Sequence, residues 1–217
     1  MSNLNPHLPF WELLPLKGLG PIRFLTDKSV LQTYHEELGS ITAEKSENLQ
    51  EQQQQLHDTV NQFSEFFSQD DLNTVLEAMQ VIGDSRDDIS TVFTNSGISL
   101  EYKANQLVEV FADDRAKQLH FQGMPLFASN PIQLVMYISK QLNEIPYIKD
   151  DEIAFPEHNL FLFSFLIEQS GGTYQEGKKK GRTVSWWNTA RPYGEDLSGY
   201  RPLELIEVKV FSASKAE

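Results

Sequence analysis

Apolar positions change their period near residue 97 of the 217-residue chain. Before it they recur at helical spacing, and after it they alternate as in strands. Phe10-Trp11-Glu12-Leu13-Leu14 is an apolar segment suited to docking on a core, and Lys17-Gly18-Leu19-Gly20-Pro21 reads as a turn. Residues 22–25 suit a short strand. Thr26 or Asp27 then caps a helix to about Leu38, with Gly39 as its stop. Leu49, Leu56, Val60, Phe63 and Phe67 form an apolar stripe that predicts a helix over 42–67. The glutamine-rich tract Gln50 to Gln55 lies inside it, and Gln is a good helix former. The stripe suits packing on the domain or, as the alternative, a homo-oligomer seam through residues 49–67. Asp70-Asp71 opens a further helix carrying Leu72, Val75, Leu76 and Met79, and Gly83 ends it. Asp84 is expected to cap a short helix with Ile89, Val92 and Phe93 on one face.

From Gly97 onward, Ile98, Leu100 and Tyr102 alternate with Ser99, Glu101 and Lys103. Ala104-Asn105 suits a tight turn, and 107–111 returns as the second strand of a hairpin. Residues 119–121 add a third short strand. Ser129 or Asn130 caps a helix with Pro131 in its first turn and Leu134, Val135, Ile138 and Leu142 on its buried face. The last third reads as strands over 160–168, 183–187 and 205–211, joined by polar loops. The expected fold class is α+β: one domain over 1–217, with a helix-rich N-terminal half (about 26–93) packed on a mainly antiparallel sheet from the C-terminal half (about 97–212).

Charge changes the picture of partners. The chain carries a net charge of −13. Residues 170–217 hold 8 Lys and Arg against 6 Asp and Glu, leaving 10 basic and 25 acidic residues in 1–169. So acidic a surface repels phosphate backbones, which argues against nucleic acid, and attracts a basic protein. The absence of Cys removes disulfides, thiolate metal sites and cysteine nucleophiles. The longest apolar run, Leu160 to Ile167, is far too short to span a bilayer, and the first twenty residues lack a signal-peptide pattern. The expectation is therefore a cytoplasmic protein with no membrane contact.

Candidate chemistry is sparse. His7, His35, His57, His120 and His158 include no helical i, i+3 or i, i+4 pair, and His35-Glu36-Glu37 lacks the second His of a zinc helix. Asp84, Asp87 and Asp88 do not fit an EF-hand loop. There is no Gly-x-Ser-x-Gly elbow, and nothing nominates a base for Ser185. Gly18-Leu19-Gly20-Pro21 lacks the third glycine of a phosphate loop. No catalytic residue, metal or cofactor is assigned on these grounds. Two features remain. Lys178-Lys179-Lys180-Gly181-Arg182 is a basic cluster suited to a solvated loop tip or an anionic group. Trp187, Arg191, Tyr193, Tyr200 and Arg201 are of the types enriched at interface hot spots, and alternation places Trp186 and Trp187 on opposite sides of their strand.

Phe121-Gln122-Gly123-Met124-Pro125-Leu126-Phe127 resembles an F-x-G-x-x-L-F turn that recurs in uncharacterised bacterial proteins. In size, acidity and lack of Cys the chain resembles immunity proteins of bacterial toxin systems. That likeness implies a protein-binding module, concretely an immunity-type inhibitor of a basic toxin. The alternative is a small-ligand-binding protein or enzyme with a pocket between sheet and helices, which would be raised by His120 or His158 beside carboxylates.

Overall fold

The structure is a computed structural model that describes residues 9–46, 89–169, 173–188 and 197–203. These are mostly β, and nine strands form one antiparallel sheet. In chain order they are β1 (Ile41–Ser46), β2 (Ile89–Thr94), β3 (Ile98–Lys103), β4 (Gln106–Asp113), β5 (Tyr147–Lys149), β6 (Glu152–Phe155), β7 (Leu160–Phe163), β8 (Thr183–Trp187) and β9 (Arg201–Pro202). Their order across the sheet is β9-β5-β6-β7-β8-β4-β3-β2-β1. Strands β1 to β4 run as neighbours at one side, and β5 to β7 do so at the other. The late strand β8 pairs with β7 on one flank and β4 on the other, so it joins the two halves.

Local chemistry accounts for several elements. Ala104 (φ 49°) and Asn105 (φ 63°) make the turn between β3 and β4 left-handed at both central positions, which matches the twist of a two-residue hairpin. The helix α2 (Pro131–Leu142) is capped by Asn130, whose Oδ1 accepts from the Gln133 N–H at 3.1 Å; Pro131 falls where no N–H is needed. It buries Leu134, Val135 and Ile138 and ends at left-handed Asn143. Asp27 caps the segment Lys28–Tyr34, a 3-10 helix that runs into the single α-turn α1 (His35–Leu38), ended by Gly39 at φ 76°.

The two sheet faces differ. Val92, Leu100, Val110, Val184, Trp186, Leu162 and Ile153 point to the inner face and are buried in the main core. That core is covered by α2, by the small three-stranded unit Leu13–Leu14, Gly18–Leu19 and Ile22–Arg23, and by the turn segment after β4. The Phe-rich turn packs here: Phe121, Leu126 and Phe127 are all buried, while Gln122 and Gly123 make the reversal at positive φ. Trp186 is fully buried, and its Nε1–H donates to the Gly18 carbonyl at 2.8 Å. Gly18 has φ 128°, and a Cβ there would sit 2.1 Å from the Ile22 carbonyl oxygen.

The expected helix-rich N-terminal half packed on a C-terminal sheet is overturned. Residues Ile41–Ser46 are the edge strand β1, not the start of a helix, and Ile89–Thr94 are the strand β2. Ile89, Val92 and Phe93 stand at helical spacing. However, the segment is rich in β-branched residues, and pairing with β3 splits it into Val92 and Thr94 inward and Thr91 and Phe93 outward. The helices expected between Leu49 and Gly83, and the seam at 49–67, lie outside the described residues, as does the strand expected at 205–211. The long strand expected over 160–168 is two: Ser164 (φ 59°) breaks it, and Leu166–Gln169 leaves the sheet to pair with Thr173–Glu176. Among the described residues no helix is long and apolar enough to cross a membrane.

Trp186→Ala is expected to cost about 3–5 kcal/mol, because it removes a large side chain from the centre of the core. Trp186→Phe is expected to cost about 1–3 kcal/mol, since the Gly18 carbonyl loses its donor. Urea unfolding followed by far-UV circular dichroism measures both.

Candidate binding surface

The outer face of the sheet is built by strand register. Directly opposed residues share a face. Phe161, Ser185, Phe111, Ser99 and Phe93 are opposed in turn across β7, β8, β4, β3 and β2. One row along, Trp187, Glu109, Glu101 and Thr91 are opposed across β8, β4, β3 and β2.

At the β5 to β8 end this face is closed. Trp187 stacks on Phe161 with ring centroids 4.6 Å apart and planes at 13°. With Ala154 they form a second buried cluster, against which Tyr147, Phe163, Leu197 and Tyr200 pack. At the β2 to β4 end the face opens into a groove of about 300 Å³ lined by Thr91, Phe93, Ser99, Glu101, Glu109 and Phe111. Both phenylalanines are half-buried.

Cations already stack on aromatic rings at the two ends. Lys45 of β1 places its Nζ 5.5 Å from the Phe93 centroid, and Lys149 places its own 5.6 Å from that of Tyr200. Among the described residues no cation stands over Phe111. Glu101 and Glu109, opposed across β3 and β4, add two carboxylates beside it. Asp113, at the end of the same strand, is held by Arg115 through Nε at 2.9 Å and Nη2 at 2.7 Å. Burial raises the Asp113 pKa, but the hydrogen bonds and charge of Arg115 outweigh it and leave the carboxyl below its usual range.

The residues nominated from sequence fall in different places. Trp186 and Trp187 do face opposite sides of β8, but both are buried; Trp187 is only 3% exposed. Tyr200 is half-buried under Lys149. Arg201 turns to the short ribbon, with Nη2 2.7 Å from Glu168 and its guanidinium 5.3 Å over Tyr174. Arg191 and Tyr193 lie outside the described residues. In the basic cluster Lys178, Lys179 and Lys180 are exposed. Arg182 is buried over Phe165 at 5.5 Å and donates to the Gly177 carbonyl; burial lowers its pKa, opposed by the nearby Glu176. Sequence reasoning passed over Phe111 and Phe93. For Phe111 a signal existed: between Val110 and Ala112, which point inward, a bulky ring at the intervening position stands out.

His120 and His158 both meet carboxylates. His120 Nδ1 lies 2.5 Å from Glu12, and His158 Nδ1 lies 2.6 Å from Glu144. Each buried carboxylate also accepts a backbone N–H, from Gln122 at 2.5 Å and from Glu157 at 2.8 Å. Both Glu side chains are thus committed to clamping chain segments, and neither His lines the groove. Among the described residues no group of three His, Asp or Glu could hold a metal ion.

Two outcomes are expected from the outer face. Among the described residues the buried Ser185 Oγ has no hydrogen-bond partner, so Ser185→Ala should leave stability unchanged or raise it, by up to about 1 kcal/mol, in thermal or urea unfolding. The lowered Asp113 pKa contributes stability above the ordinary carboxylate range, and that contribution is lost as pH falls through the lowered folded value. Arg115→Gln should therefore destabilise near neutral pH, and its difference from wild type should close as pH falls below the ordinary carboxylate range in urea titrations at stepped pH. No family model matches the chain, and neither the curated proteins nor the solved structures compared with it include a match.

Proposed function

We propose that the protein is a protein-binding module whose outer sheet face receives a basic segment of its partner, in the manner of an immunity-type inhibitor of a basic toxin. The observation that carries this reading is the Phe111 ring, half-buried in an open groove beside Glu101 and Glu109. A partner's Arg or Lys stacks on that ring as Lys45 does on Phe93, a contact of about 0.5–2 kcal/mol, within the negative potential of the neighbouring Glu101 and Glu109. The net charge of −13 supports the same reading, because an acidic molecule steers a basic one into encounter and weakens that steering as salt rises. Trp187 and Tyr200 lie at the β5 to β8 end of the same face, where Trp187 packs beneath Tyr200 and does not itself meet the partner.

The test starts from the full chain used as bait in its own cells. The captured partner is identified, purified and titrated by surface plasmon resonance. A basic partner is expected. Phe111→Ala should weaken binding at least tenfold, mainly through faster dissociation, because a desolvated anchor acts on the off-rate (about 1.4 kcal/mol per tenfold). Glu101→Gln with Glu109→Gln should slow association and flatten its salt dependence. An acidic partner, no partner, or affinities unmoved by these substitutions would overturn the reading.

A further inference from the structure

A second concavity lies away from the outer groove, between the helical segment and the sheet edge. It has a volume of about 330 Å³ and is walled by Leu31 and Gln32 of the 3-10 helix, His35 and Leu38 of α1, Ile41 of β1 and Thr94 of β2. Leu31 and Leu38 are buried and make an apolar floor, while Ile41 stands at the mouth 53% exposed. We propose that this cleft binds a neutral, mostly apolar molecule of about ten to fifteen non-hydrogen atoms carrying one hydroxyl group.

Size sets the first limit. A cavity of about 150 Å³ holds one benzene, so 330 Å³ holds roughly twice as many atoms. The polar groups set the second. The Thr94 hydroxyl is committed, 2.8 Å from both the Ile98 carbonyl and the Ser96 Oγ. His35 Nδ1 lies 2.9 Å from the Gln32 carbonyl oxygen. A carbonyl oxygen only accepts, so Nδ1 of this exposed ring donates to it, and in the tautomer with one N–H this leaves Nε2 as the acceptor. The imidazole wall therefore asks for a donor. Glu36 and Glu37, exposed beside His35, set a negative field against a carboxylate ligand. An uncharged alcohol or phenol with an aromatic or aliphatic body meets all of these conditions. The site shares no residue with the outer groove and does not rest on the protein-binding reading.

The experiment titrates the full chain with 1-naphthol and, separately, naphthalene, following intrinsic fluorescence and calorimetry. Wild type should bind 1-naphthol saturably with one site per chain, and at least fivefold tighter than naphthalene. His35→Phe should erase that preference while keeping naphthalene binding. Ile41→Glu, at an exposed position, should weaken both probes at least tenfold by placing a carboxylate at the mouth. Gln32→Glu, also exposed, provides the same test where the first variant folds poorly. Circular dichroism confirms folding in each case. No saturable binding, binding untouched by both mouth variants, or a preference for 1-naphthol that survives His35→Phe would each overturn the proposal.

Discussion

The architecture turns on the insertion of β8 between β7 and β4. Neither flank is local to it: the strand pairs with residues near 110 on one side and near 160 on the other. Such pairing must close long loops before its hydrogen bonds form, and the closure entropy has to be offset by burial. Consecutive tryptophans supply that burial on both faces at once. Trp186 enters the main core and reaches the Gly18 carbonyl of the small N-terminal unit, while Trp187 stacks on Phe161 beneath Tyr200. A five-residue strand thus fastens three regions that are distant in sequence.

The covering layers are held by polar contacts as well as by apolar packing. Glu12 and Glu144 repeat one arrangement: a buried carboxylate shared between a backbone N–H and a histidine on a neighbouring turn. Burying a carboxylate is costly unless its oxygens are filled, and at Glu144 the Glu157 N–H and His158 Nδ1 fill both. Each clamp ties down a short connecting element: the Phe-rich turn with its two-residue ladder at Glu12, and the 3-10 turn Pro156–His158 between β6 and β7 at Glu144.

With the inner face closed, two openings stand out among the described residues: the β2 to β4 side of the outer face and the sheet edge beside α1. The two differ in kind. The outer groove joins aromatic rings to carboxylates and so suits a cation presented by a protein. The cleft beside α1 is apolar, with an imidazole acceptor in its wall, and so suits a small neutral molecule. The functional expectation shifts accordingly from the tryptophans of β8, which the sheet buries, to the phenylalanines two strands away.

Local sequence determined those elements whose physics is local. The Ala104-Asn105 reversal, the Asn130 cap with Pro131 behind it, the stop at Gly39 and the opposite facing of Trp186 and Trp187 are each written in a few adjacent residues. The acidic balance and the absence of thiol chemistry are equally plain from composition. Tertiary structure alone decided which of two allowed periods Ile89, Val92 and Phe93 follow. Those three share one face of a helix, but with β3 alongside they divide between two faces of a sheet. It also decided that Trp187 is covered and Phe111 is not, since both occupy outward positions on strands and differ only in what the chain lays over them. Alternation along a strand specifies a side; whether that side meets solvent is set by residues far away in the chain, and local sequence does not contain them.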